Sequence, residues 1–427
     1  MTQPPARIPE QPWQYPPAHA PAGAGGAARV GGYYTRGNAP TVPASGSAPA
    51  PIWHGQPTKR NGKAIAAFVL AALGVCVVLF FTMLEAGFSE TLVGAFIALI
   101  PLSVVLTAVW WLDRWEPEPR LYLFLSFAWG AGVATATAMY LNTKAFHWLT
   151  MSIGDPAVVE LLGVGVVAPV IEEVLKGGAL LAIVLWRSRL VNSAVDLVVY
   201  AATIASGFAF TENILYFARG SSAGILGSVF FGRAIMSPFA HIMFTSATAL
   251  VIATVLYSRR VHLLWAFPLG TAVAIGLHSA WNISAAIAGQ SFFTVFMWLH
   301  VPLFGAFVIT VLLLRRRERR NIITHLREYS IAGWFAPHEV DMLGSLPQRS
   351  RARSWAKNYG VRASSAMARF QTDATQLALN RQRMAHAVRK NAAELPRLVQ
   401  AEQRLLGRVQ TDRAQFLYAA GPGARAV

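Results

Sequence analysis

From Ala64 onward, apolar stretches of about the length that crosses a bilayer alternate with short polar connections. Eight can be drawn, at 64–84, 91–112, 121–141, 158–186, 191–217, 234–257, 261–288 and 292–314. Each is near the roughly 20 residues that a helix needs to span hydrocarbon. The long fourth and fifth predict tilt or a partly re-entrant start. This pattern predicts an all-α polytopic membrane protein with about eight transmembrane helices, occupying residues 61–314. The flanks read differently. Residues 1–60 hold twelve of the 24 prolines together with Gly and Ala, too little apolar surface to offset chain ordering, so this tail is expected to be disordered. Residues 315–427 open on Arg315-Arg316-Arg317-Glu318-Arg319-Arg320. They continue with apolar positions at helical spacing, among them Leu377, Met384, Val388, Leu395, Val399 and Leu406. That predicts basic amphipathic helices, kinked or split at Pro396, packed as a hairpin or lying on anionic lipid heads.

Composition sharpens the picture. Hydrophobic residues make up 54% of the 427 and charged residues 13%, with a mean hydropathy of +0.42. Soluble domains carry about a quarter charged residues, so an ordinary soluble enzyme is excluded. The single cysteine, Cys76, excludes a disulfide framework and any multi-cysteine metal site. The net charge of +17 invites a nucleic-acid reading, but it resides in the tails: +4 before residue 61, none from 61 to 314, and +13 beyond. Such an excess beside apolar spans follows the positive-inside rule. No groove-reading motif accompanies it, and no nucleic-acid partner is expected. Lys59, Arg60 and Lys63 precede the first span. Alternation then puts Arg114/Arg120, Arg187/Arg189, Arg259/Arg260 and Arg315–Arg317 on one side, leaving Lys144, Arg219 and Arg233 opposite. Both termini are therefore expected in the cytoplasm, with the chain in the cell membrane.

Ionisable groups inside the spans carry the chemistry. The fourth span holds Glu172, Glu173 and Lys176 after Pro169; the fifth ends in Gly207-Phe208-Ala209-Phe210-Thr211-Glu212-Asn213; the sixth carries His241; the seventh carries His278 and Asn282. A charge at the centre of a span costs about 3 kcal/mol on insertion scales, so these groups must face the protein interior or water. Their depths, at about 1.5 Å per residue, fall within two to three helical turns of one another, so four helices can converge on one site in the outer half of the bilayer. Crowded carboxylates raise one another's pKa, as suits a general base. Lys176 can pair with either adjacent glutamate. His278 and Asn282 share a helix face and can donate to an oxyanion. Alternatively, one glutamate and two histidines form a ligand set for catalytic zinc. Each element also has a plain structural reading: Glu172/Lys176 as a buried pair, a histidine as a bundle hydrogen bond, Asn282 as interhelical glue. Asp196 is expected to anchor Arg187 or Arg189. His300 receives no role, and Trp115-Glu116-Pro117-Glu118-Pro119 reads as a rigid interfacial loop.

Taken in order, Asp113 to Pro119, Glu172-Glu173-Val174-Leu175-Lys176, the Gly207 to Asn213 segment, His241, and His278-Ser279-Ala280-Trp281-Asn282 resemble the PrsW family of intramembrane proteases. That family is similar to the group containing the CAAX prenyl endopeptidases. The resemblance covers roughly residues 60–315. It implies hydrolysis of a peptide bond in a membrane-associated protein, such as an anti-sigma-factor-like regulator. Glu172 and Glu173 would activate water, with Glu212, His241 and His278 completing the site and Asn282 on the oxyanion side. Zn²⁺, if used, would be held by Glu212, His241 and His278; metallo- and glutamate-type chemistry both remain open. The wider group ends its first motif in Arg after three intervening residues, whereas Lys176 follows after two, and Ser237 stands where that group has Phe. A prenyl-cysteine substrate is therefore not expected. The rival readings are a proton-coupled transporter using the same groups as a relay, and an idle membrane scaffold.

Overall fold

The computed structural model describes residues 62–187, 191–256, 260–390 and 392–421. The expected disordered tail, residues 1–60, lies outside them. Among the described residues there are twelve helices and no strands. The membrane part contains α1 (Gly62–Ala86), α2 (Phe88–Leu112), α3 (Arg120–Ile153), α4 (156–186), α5 (Ala194–Ser222), α6 (Leu226–Thr254, broken by a turn at 237–239), α7 (Leu263–Ile287) and α8 (Phe292–Ile331). Seven of these are long and apolar enough to cross a membrane. The eighth, α4, falls short on composition because Glu160, Glu172, Glu173 and Lys176 interrupt it.

Local chemistry sets the element boundaries. α3 stops at Gly154, whose φ of 77° is the left-handed conformation that glycine adopts without strain. Asp155 then caps α4 by accepting from the N–H groups of Ala157 and Val158. Ser193 and Asp196 form a capping box on α5. Asp196 therefore does not anchor Arg187, and Arg189, the other expected partner, lies outside the described residues; the Asp196 carboxylate accepts from the N–H groups of Asn192 and Ser193 and from the Ser193 hydroxyl, while Arg187 stacks over Tyr122.

α5 is the axis of the bundle. It is apolar all round, and 83% of its most apolar window is buried, against 11% for α1. Its crossing with α3 is close enough to need glycine on both sides. A Cβ at Gly207 would lie 2.0 Å from the Phe127 carbonyl oxygen, and one at Gly130 would lie 1.9 Å from that of Ile204. Small residues at such crossings are how helices approach in a membrane, where water does not drive them together.

α8 runs beyond its apolar part into a C-terminal domain built with α9 (Pro337–Leu343), α10 (Leu346–Lys357), α11 (Val361–Lys390) and α12 (Leu395–Ala420). Pro396 lies in the first turn of α12, so the long basic segment splits there into the α11/α12 hairpin. This domain has its own core, including Phe335, Phe370 and Phe416, and Trp115 from the α2–α3 loop is buried in it. The buried guanidinium of Arg349 fixes that junction, donating to the carbonyls of Leu343 and Trp115 and to the Thr375 hydroxyl. Arg383 donates to the Val191 carbonyl. The loops after α2 and α4 and the end of α8's apolar run thus share one side. On the opposite side, Arg219 at the end of α5 pairs with Glu85 at the end of α1.

Two outcomes are expected. Gly207→Val forces backbone apart at the central crossing and should lower stability by about 1–3 kcal/mol or more, seen as a lower Tm of the detergent-solubilised protein. The second concerns pH. In the α2–α3 loop, burial and then the neighbouring Asp196 carboxylate push Glu118 up to about 9; burial is also the main reason that Asp113 is pushed up to about 7. Both acids favour the folded state when protonated, so their contribution is complete below the ordinary carboxylate range and is lost as pH rises through these values. The C-terminal domain should become easier to release by limited proteolysis between pH 6 and pH 9.5. Glu118→Gln should flatten that trend; an unchanged trend would contradict this account.

Candidate active site

The fourth helix brings most of the charge. Pro169 has no N–H to donate to the preceding turn, and a π-helical turn at Gly163–Val167 leads directly into the segment that contains it. One turn later Glu172, Glu173 and Lys176 are all buried, the last two completely. The Lys176 ammonium lies 2.6 Å from Glu173 Oε1 and 3.6 Å from Glu172 Oε2. It donates to His241 Nδ1 at 3.2 Å and sits 4.2 Å over the Phe208 ring. α4 is held in place by the Trp129 indole N–H of α3, which donates to the Leu175 carbonyl.

The two histidines are each oriented by a carboxylate. His278 Nδ1 donates to Glu173 Oε1 at 3.1 Å, which turns its Nε2 toward Glu172 Oε2, 3.9 Å away. His241 Nε2 donates to Glu212 Oε2 at 2.8 Å, leaving Nδ1 on the Lys176 side. Glu212 is in turn gripped by Arg233 at 2.6 Å. Arg233 also donates to Asn213 Oδ1 and stacks 3.9 Å from the Tyr216 ring. Glu173 is fully engaged, because its second oxygen accepts from the Thr245 hydroxyl at 2.9 Å. Glu172 is the exception: its Oε2 is buried and has no hydrogen-bond partner. At 1.5 Å per residue, Glu173, His241 and His278 lie about 20 Å along their helices from the ends nearest the C-terminal domain, roughly two-thirds of a ~30 Å hydrocarbon core.

Three of these residues offer the donor set of a divalent metal, which would take His241 Nδ1 from the Lys176 ammonium that now donates to it. Ligand atoms of Glu172, His241 and His278 lie within 4.8 Å of one another, one carboxylate and two imidazoles being a zinc donor set. In such sites each ligating histidine gives its other N–H to a carboxylate. Glu173 does this for His278, and Glu212 for His241. The expected ligand set was Glu212, His241 and His278; the trio that the fold gathers has Glu172 in place of Glu212, whose acceptor oxygen already serves Arg233 and His241.

Of the six expected site residues, Glu172, Glu173, Glu212, His241 and His278 form one network. Asn282 stands at its edge, with Nδ2 donating to the Val164 carbonyl at 2.8 Å, so it braces the π-helical turn of α4. Sequence reasoning passed over three contributors. Arg233 was read as a loop charge, although an arginine eight residues before an intramembrane histidine is itself a signal under the cost argument applied to the glutamates. Thr245 lies one helical turn after His241. His300, given no role, is buried, sits 2.7 Å from the Ser284 hydroxyl and packs edge-on against Trp281, beside Asn282.

Comparison with known proteins bears on this constellation. No curated protein and no solved structure matches the chain. The family model described as PrsW family intramembrane metalloprotease matches residues 118–314. That interval holds every residue of the network from Glu172 to Asn282, and over it the chain is similar to the PrsW family of intramembrane metalloproteases.

Proposed function

We propose that this protease cleaves a membrane-associated protein in the half of the bilayer away from the C-terminal domain, with Glu172 as the group that faces the reacting water. The observation that carries this reading is Glu172 Oε2, which is buried without a hydrogen-bond partner, 3.6 Å from the Lys176 ammonium and turned toward His278 Nε2. Glu173 and Glu212, by contrast, each accept at hydrogen-bond distance from a cation and from a histidine or a hydroxyl. Glu172 takes the proton of the attacking water and passes it to the departing amine, while the C–N bond breaks. Glu173 keeps His278 in the tautomer that leaves Nε2 facing Glu172, and Glu212 keeps His241 in the tautomer whose Nδ1 accepts from Lys176. Lys176 offsets the carboxylate charge so that the cluster can persist in low dielectric. In the metallo alternative, Glu172, His241 and His278 would hold a zinc-like cation that supplies Lewis acidity toward the carbonyl and acidifies the water, with Glu172 then serving as a ligand in place of the base.

The substrate class we favour is a single-pass regulator of the anti-sigma-factor kind. We further propose that the protein lies in the cell membrane with both termini in the cytoplasm, a reading supported by the basic residues that follow the second, fourth and eighth spans on the side of the C-terminal domain. The +13 charge of residues 315–427 suits contact with anionic lipid heads.

The test compares membrane-protein N-termini by mass spectrometry in cells carrying the intact chain or Glu172→Gln. A new N-terminus near a membrane boundary should appear only with the intact chain, and cleavage should fall at least about 100-fold, the lower end of what a general base contributes. Equal cleavage by both proteins would sink the assignment. Glu173→Gln should behave differently. It weakens the partner of a fully buried ammonium, and losing such a pair costs about 3–5 kcal/mol, so Tm should fall along with activity. A strong chelator should abolish cleavage by the purified protein and added Zn²⁺ should restore it; indifference to chelation would favour the glutamate-type mechanism.

A further inference from the structure

On the side of the C-terminal domain, away from the protease network, a cavity of about 230 Å³ opens between the membrane helices and α11. Its walls include Leu314 and Leu256 at the ends of the apolar parts of α8 and α6, with Ser193, Glu318 and Arg317 among the polar groups. The Glu318 carboxylate is 4% exposed, and its Oε2 has no hydrogen-bond partner. Its Oε1 fares little better. The Ser193 hydroxyl approaches it at 3.3 Å but lies 2.8 Å from Asp196 Oδ1, and a hydroxyl has only one proton to give. Nearby Glu116 also has a buried oxygen without a partner. At Glu318 the cavity therefore presents a buried carboxylate short of donors, an expensive arrangement.

The rim has the opposite character. Arg317, the residue before Glu318, is exposed and makes no hydrogen bond or ion pair with a described residue. It lines the first cavity and also a second of about 180 Å³. Asn321, Gln382 and His386 line both as well, and His325 joins the second. A donor-starved carboxylate thus lies beside a cationic rim, at the level where the spans end and headgroups begin.

We infer that this paired cavity binds a zwitterionic group, a protonated primary amine linked to a phosphate, as in the headgroup of an ethanolamine phospholipid. The ammonium supplies three N–H donors to Glu318 and its neighbours, and the phosphate lies against Arg317. A choline headgroup has the same charge but no N–H, so it leaves Glu318 unsatisfied. The apolar span ends beside the cavity favour a lipid over a soluble source. A lipid bound here bridges the membrane helices and the C-terminal domain.

The test uses the full chain, delipidated in detergent and reconstituted in nanodiscs of defined lipid, with retained lipid read by native mass spectrometry. Retention of phosphatidylethanolamine should exceed that of phosphatidylcholine by about tenfold, equivalent to about 1.4 kcal/mol. Glu318→Gln should remove the preference, and Arg317→Gln, at an exposed position that folding does not depend on, should weaken retention of both. Displacement by millimolar free phosphoethanolamine would keep the amine–phosphate chemistry and assign a soluble source. Equal retention of the two lipids, a preference surviving Glu318→Gln, or selective retention of phosphatidylglycerol would each overturn the inference. The readout is binding, so it stands or falls separately from proteolysis.

Discussion

An ammonium group in the interior of a membrane bundle has to be neutralised where it lies, and Lys176 is neutralised by both neighbouring glutamates, accepted by His241 and covered by the Phe208 ring. These contacts draw on three helices, so the requirement to satisfy one buried charge fixes α4 against α5 and α6. The glutamate most tightly bound to Lys176 also holds His278 on α7. Removing Glu173, the carboxylate nearest to Lys176 at 2.6 Å, would leave that ammonium poorly compensated in low dielectric, which costs far more than a surface ion pair contributes. The same economy explains Arg233, which balances Glu212 on the far side of His241.

The backbone is bent to allow this. α4 passes through a π-helical turn just before its glutamates, and α3 has another at Trp129–Ala134, at the glycine crossing with α5. Such turns shift the register of the following side chains and recur at functional sites. Asn282 secures the first through the Val164 carbonyl, and Thr135 secures the second by donating to the Gly130 carbonyl. Polar side chains in the spans therefore shape helix geometry as well as furnish chemistry.

The two halves of the molecule meet through an acidic junction. Asp113, Glu116, Glu118, Asp196 and Glu318 gather where the α2–α3 loop, the start of α5 and the exit of α8 adjoin the C-terminal domain. Trp115 and Arg349 lock it mechanically. The domain is thereby continuous with the protease through α8 and through this junction, which gives the long basic segment a structural place beyond that of a solvated appendage.

Membrane character, the approximate positions of the spans and the set of side chains that had to be gathered were legible in the amino-acid order, because those follow from hydropathy and from the cost of burying charge. Glu172, Glu173, Glu212, His241 and His278 were legible for that reason. Which carboxylate orients which imidazole was not. That depends on helix rotation and on the π-helical turn before Pro169, where a shift of one residue swings a side chain by about 100°. Tertiary structure alone grouped Glu172, and not Glu212, with both His241 and His278, turned Asn282 toward a backbone carbonyl, and made Asp196 a helix cap. It also turned the Trp115 to Pro119 loop into the seat of a second domain, since burial there depends on a partner more than 200 residues away, which no local pattern encodes.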